Sequence, residues 1–148
     1  MEESAGSFDP LKLENQLCFP LYAASREVVR QYFPQLNAIG LTYTQYITMM
    51  VLWETHTISA KTLGERLFLD SGTLTPVLKS LEGKGYLTRK RSAEDERVLL
   101  VSLTDAGAAL KTEAMHVPGA VAGCIRLSPD EAGELYRLLY KVLDAFRP

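Results

Sequence analysis

Leu63-Gly64-Glu65-Arg66-Leu67, then Asp70-Ser71-Gly72-Thr73-Leu74-Thr75-Pro76-Val77-Leu78-Lys79-Ser80-Leu81, then Tyr86-Leu87-Thr88-Arg89-Lys90-Arg91-Ser92-Ala93-Glu94-Asp95-Glu96-Arg97 carry the architecture of this chain. Ser59 can cap a short helix with Leu63 and Leu67 inward. Asp70 to Thr73 is a polar turn, and the helix after it buries Leu74, Leu78 and Leu81. Pro76 is awkward there: either that helix starts as late as Thr73 or it tolerates a local distortion beside Gly72. Gly83 and Gly85 stop the helix. Tyr86 to Arg89 reads as a strand, Ser92 to Glu96 as a polar hairpin tip, and Val98 to Leu103 as the returning strand. Two short helices, a tight turn and a two-stranded hairpin make a winged helix–turn–helix over residues 43–103.

Upstream, Leu13, Leu17, Leu21, Val28 and Tyr32 recur at the spacing of one long helix face. Pro20 interrupts the stripe, so the helix either starts afresh near Phe19 or bends there. A fresh start places Cys18 beside the unpaired amides of a helix N-terminus, which favour a thiolate. Gly40 ends the region. Thr42 or Thr44 can cap a second helix with Tyr46, Ile47, Met50 and Val51 inward and Trp53 at the edge of that set. Downstream, Thr104 can cap a fifth helix that fades before Pro118-Gly119. Ser128-Pro129-Asp130-Glu131 opens the sixth as a capping box, with Leu135, Leu138, Leu139, Val142 and Phe146 in a stripe. The expected fold is mainly α, about six helices plus one β-hairpin wing. Residues 11–40 and 104–148 are expected to form a dimerisation region, because a lone domain would leave such stripes wet. Residues 1–10 read as a frayed tail.

The chain has 148 residues, 47% of them hydrophobic, enough for one core. No apolar run is long enough for a bilayer. Met1-Glu2-Glu3-Ser4-Ala5-Gly6 lacks the layout of a secretory signal, so a cytoplasmic location is expected. Cys18 and Cys124, the two cysteines, are too far apart for a CxxC motif, and a transient disulfide fits a reducing compartment better than a structural one. His56 and His116 lack companions for a metal site, and no serine–histidine–acid set or phosphate loop is present; no cofactor is expected.

Net charge is −2, so positive charge toward nucleic acid must be local. Between Lys79 and Arg97 six basic residues face four acidic ones. On the second helix of the motif, Ser71, Thr73, Thr75 and Lys79, with Ser80 beside them, remain for the major groove of double-stranded DNA. Arg89 and Arg91 lie on the wing strand. At its tip Asp95 and Arg97, two apart, can pair so that the guanidinium is held outward for a narrow minor groove.

The quoted motifs closely resemble the MarR family of winged-helix regulators. Leu17-Cys18-Phe19, Leu21-Tyr22, Ser25-Arg26 and Gly40-Leu41-Thr42-Tyr43 look like its OhrR branch, repressors that sense organic hydroperoxides. The resemblance spans about Leu13 to Phe146. It implies a homodimer on a palindromic operator, with Tyr32 and Tyr43 reaching the Cys18 thiolate of the opposite subunit and Tyr22 as a further candidate. It also implies that an organic hydroperoxide converts Cys18 to a sulfenic acid, which condenses with Cys124 of the other subunit and releases the DNA. Taken without the resemblance, Cys18 can as well line a pocket for a small phenolic or apolar inducer. A thiol peroxidase is disfavoured by a single reactive cysteine with no recycling partner, and a winged-helix protein adaptor remains the third class.

Overall fold

The computed structural model describes residues 8–147, so the first seven residues of the expected tail lie outside the described residues. The last three are placed: the Leu11 amide donates to Asp9 Oδ1 at 2.9 Å, ahead of a 3-10 turn over Leu13–Asn15.

Helix α1 (Cys18–Ala38) starts afresh rather than bending. Pro20 falls in its first turn, where an amide has no helical partner to lose. Pro34, which sequence reading passed over, lies inside the last turns of the helix. Gly40 at φ +70° closes it, and the Leu41 amide reaches back to Leu36 O at 3.0 Å with both leucines buried.

Helix α2 (Tyr43–Thr55) is capped by Thr42, and Gln45 completes a reciprocal capping box. Its inward face departs from the expected one. Met49 and Leu52 are fully buried with Tyr46 and Val51, whereas Met50 is 46% exposed. The run Tyr46-Ile47-Thr48-Met49-Met50-Val51-Leu52-Trp53 is apolar nearly all round, so periodicity could not choose a face and the neighbouring helices did.

Strand β1 (Thr57–Ser59) leads into α3 (Ala60–Leu67), capped by Ser59 as expected, with Phe68 in the left-handed region at φ 53° ending it. Helix α4 (Ser71–Gly83) starts at Ser71, two residues before the later of the expected starts, and keeps Pro76 inside. Asp70 caps it, and Leu74, Leu78 and Leu81 are buried as the pattern requires. Each such side chain stabilises the fold by about 1.5–3 kcal/mol. The wing is β2 (Leu87–Arg91) antiparallel to β3 (Leu99–Leu103), and β1 pairs with the other edge of β3, giving the order β1-β3-β2. That third strand was not expected: three residues are too few for alternation to register.

Helix α5 (Asp105–Ala114) is capped by Thr104. The helix ends before Pro118-Gly119, as expected. Those two residues lie inside a further helix, α6 (Val117–Ala122), where proline in the first turn is harmless. Val117 and Val121 of α6 are buried, and α6 packs on α1. Helix α7 (Pro129–Asp144) carries the capping box of Ser128 and Glu131. The architecture is thus mainly α, seven helices and one small sheet among the described residues, with no helix long and apolar enough to cross a membrane.

Gly107 marks the tightest approach. A Cβ there would stand 2.1 Å from Tyr86 O, and Gly107 O accepts from Trp53 Nε1 at 2.8 Å. Helix α5 therefore lies directly on the backbone leading into the wing. Gly107→Ala is expected to lower unfolding stability by about 3 kcal/mol, at the upper end of overpacking penalties, measured by urea denaturation.

Candidate functional site

Of the α4 side chains expected in the groove, Ser71, Thr73, Thr75 and Lys79 are all exposed. The Thr73 amide donates to Asp70 Oδ1 at 2.7 Å, and that bond first, with Gly72's amide behind it, holds the Asp70 carboxyl below the usual range. Thr75 Oγ1 donates to Ser71 O at 2.7 Å, which leaves its lone pairs free to accept from a base or a lysine. Ser80 does not join them: its hydroxyl accepts from Gln45 Nε2 at 2.9 Å, on the side facing α2.

At the wing tip Asp95 accepts from three donors of Arg97: the amide at 3.0 Å, Nε at 3.1 Å and Nη2 at 3.2 Å. These bonds lower the Asp95 carboxyl's pKa, the side-chain one most. The Arg97 side chain is nonetheless 90% exposed, so it is oriented by one edge and free on the other. Arg91, exposed at the last position of β2, donates weakly to Arg97 O at 3.4 Å.

Arg89, expected on DNA beside Arg91, is committed to its own chain. Its Nη2 lies 3.0 Å from Glu82 Oε1, and its amide donates to Glu82 Oε2 at 2.9 Å. The cause is strand alternation: with Leu87 buried, Arg89 points to the same face, toward α4, and Thr88 and Lys90 point out. The inward leucine carried that signal in the sequence. The pair ties the recognition helix to the wing and depresses the Glu82 pKa, mainly through the Arg89 side-chain hydrogen bond.

In the second half of the site, Cys18 is exposed at the first position of α1, which has no side-chain cap, and Cys124 is exposed just after α6; both are free thiols. Tyr32 and Tyr43 form a cluster with ring centroids 5.0 Å apart, joined by Tyr46 at 5.9 Å from Tyr32. Burial first, and then neighbouring phenols, push the Tyr43 and Tyr46 hydroxyls above the usual phenol range, so both remain proton donors. Tyr22 stands apart from this cluster, largely exposed with the Arg26 guanidinium 5.4 Å from its ring centre.

Within one chain the thiol and the cluster do not meet. Cys18 and Tyr32 sit fourteen residues apart on one helix, about 21 Å along its axis. The apolar faces of α1 and α7 are also uncovered. On α1 Phe33 is 68% exposed, on α7 Leu135, Leu138 and Val142 are exposed and no residue is buried, and Phe146, expected in the same stripe, lies just past the end of α7 and is 77% exposed.

The family described as transcriptional regulator SarA/Rot matches residues 31–114. An organic hydroperoxide resistance transcriptional regulator of Bacillus subtilis is 51% identical, covering 93% of both chains. The regulator SarZ of Staphylococcus aureus is 43% identical over 83% of both. Among solved structures, reduced AbfR bound to DNA is 36% identical, covers 90% of this chain and 93% of its own, and superposes with a TM-score of 0.76. Disulfide-formed AbfR, 37% identical over 88% and 92%, gives 0.64.

Arg97→Ala is expected to weaken binding to a cognate duplex by about 1–3 kcal/mol and to make the salt dependence shallower by about one unit of slope, read by fluorescence anisotropy. Glu82→Gln should lower the unfolding midpoint at neutral pH. Because folding depresses the Glu82 pKa, the pair's stability is present above the ordinary glutamate range and disappears as pH falls through the lowered value. Wild type and variant should therefore converge in acid, as followed by thermal melts from pH 7 to pH 3.

Proposed function

This chain belongs to the MarR family of winged helix–turn–helix transcriptional regulators, in its OhrR-type branch, and from that premise we propose that it is a dimeric, cytoplasmic repressor inactivated by organic hydroperoxides. Two copies of α4 enter successive major grooves of a palindrome through Ser71, Thr73, Thr75 and Lys79. Arg91 and Arg97 reach the backbone and minor groove, Asp95 aims Arg97, and Arg89 with Glu82 braces the wing.

The observation that carries the sensing half is the separation of Cys18 from Tyr32 along one helix together with the uncovered faces of α1 and α7. An antiparallel partner helix both covers those faces and brings Cys18 to Tyr32 and Tyr43 of the partner subunit. There the phenol O–H groups donate to the thiolate and to the departing oxygen. The thiolate attacks the O–O bond, forming S–O and breaking O–O, and the alkoxide leaves as an alcohol after taking a proton. Cys124 of the partner subunit then displaces the sulfenic oxygen as water, giving a disulfide. Tyr22, one turn beyond Cys18, lines the approach. Closing that bond needs the two Cα atoms within about 7 Å, which moves α1 and α6 and, with them, the two winged-helix lobes. The higher similarity to the reduced, DNA-bound AbfR than to its disulfide form supports reading the conformation seen here as the DNA-competent one.

A gel shift with and without cumene hydroperoxide tests this. Wild-type affinity should fall on the order of 10–100-fold, while Cys18→Ser binds DNA and ignores the oxidant. On non-reducing electrophoresis a band at twice the monomer mass should require both Cys18 and Cys124. Release of the Cys18→Ser variant by hydroperoxide would sink the redox reading.

A further inference from the structure

A part-buried polar joint, with Gln45 at its buried centre, lies between the tyrosine cluster and the recognition helix. Gln45, almost wholly buried in the first turn of α2, accepts at Oε1 from the Thr42 amide at 3.0 Å and from Lys84 Nζ at 3.0 Å. Its Nε2 donates to Ser80 Oγ at 2.9 Å. Lys84 Nζ also donates at 2.5 Å to the carbonyl of Gly40, the left-handed residue after α1. One set of bonds thus joins the C-terminal end of α1, the N-terminal end of α2 and the C-terminal end of α4. Two residues before Gln45 stands Tyr43, in contact with Tyr32; along α4 from Ser80 run Lys79, Thr75 and Ser71. A capping box needs only Thr42 and Gln45, so the links to Ser80 and Lys84 are surplus to helix initiation. Because the carboxamide is out of water, losing a partner leaves it unsatisfied, and the three ends move together rather than slide.

We propose that Gln45, Ser80 and Lys84 are positioning residues that set the orientation of α4 from the α1–α2 turn, so that displacement of Tyr32 and Tyr43 is felt at the groove. The proposal rests on the reading above that oxidation beside those tyrosines releases DNA. None of the three needs to touch DNA or the thiol. Coupling between two sites is reciprocal, so DNA on α4 must in turn restrain the α1–α2 turn.

The test uses the full chain, a duplex selected by the protein from a randomised pool, and the variants Ser80→Ala, Lys84→Met and Lys84→Arg. In the reduced wild type, the duplex should slow hydrogen exchange of the Thr42 and Gln45 amides, which the capping box holds. In Ser80→Ala and Lys84→Met that remote protection should vanish while α4 stays protected. After cumene hydroperoxide, the ratio of oxidised to reduced dissociation constants should shrink about tenfold in both variants, while in the reduced proteins iodoacetamide alkylates Cys18 at the wild-type rate. Lys84→Arg should retain most of the ratio. Ser80→Ala, the milder change, decides the matter if Lys84→Met does not fold. An unchanged ratio in folded variants, or no protection of Thr42 and Gln45 in the wild type, overturns the joint. So does a salt slope shallower by about one in Lys84→Met, which makes Lys84 a phosphate contact. A wild type that shows the remote protection but ignores hydroperoxide refutes the redox reading and leaves the joint standing.

Discussion

Burial of α2 is the constraint on which the other arrangements depend. Six of its thirteen residues are buried, Gln45 and Thr48 among them. Polar groups taken out of water must be bonded, and each bond fixes a neighbour. Thr48 Oγ1 is satisfied at home by Thr44 O at 2.7 Å. Trp53 finds its acceptor on α5 at Gly107, which brings α5 against the wing, and Gln45 finds its partners on α4. Tyr43 and Tyr46 from the same helix meet Tyr32 of α1. A single helix with little solvent face therefore registers the aromatic cluster, the wing and the recognition helix against one another.

The outer helices follow the opposite rule. Helix α1 covers the core with Leu36 and α6 with Val117 and Val121, yet α1 also presents Phe19, Leu21, Val29 and Phe33 to solvent, and α7 buries nothing. At about 1.5–3 kcal/mol for each large side chain removed from water, such stripes are a large unrealised stabilisation. In the dimer proposed above, a second copy of this chain realises it, and the same pairing shortens the distance between Cys18 and the phenols. Association and sensing are then one geometric event.

At the DNA-facing edge, charge placement outweighs charge count. The chain is net negative, and the local basic excess is only two. What differs between the arginines is their tether. Arg97, itself nearly fully exposed, is held by Asp95 along one edge and free on the other, whereas Arg89 is held inward by both oxygens of Glu82. The first arrangement leaves an oriented donor open to solvent; the second stiffens the element that carries it.

Helix caps and stops were legible from sequence because they are local. Thr42, Ser59, Thr104 and Ser128 each cap through a bond spanning three residues, and Gly40 and Gly85 need only their own positive φ. The leucine spacing of α4 and the Asp95–Arg97 pair were readable for the same reason. Tertiary structure alone chose Met49 over Met50, paired β1 with β3, placed Pro118 inside a helix, and turned Arg89 to Glu82 and Ser80 to Gln45. Those outcomes depend on which distant surface arrives beside a residue, and an apolar run or a lone hydroxyl contains no record of that. The thiol and the tyrosines were identifiable one by one, but the 21 Å or so between Cys18 and Tyr32 follows only once both are known to share one unbroken helix.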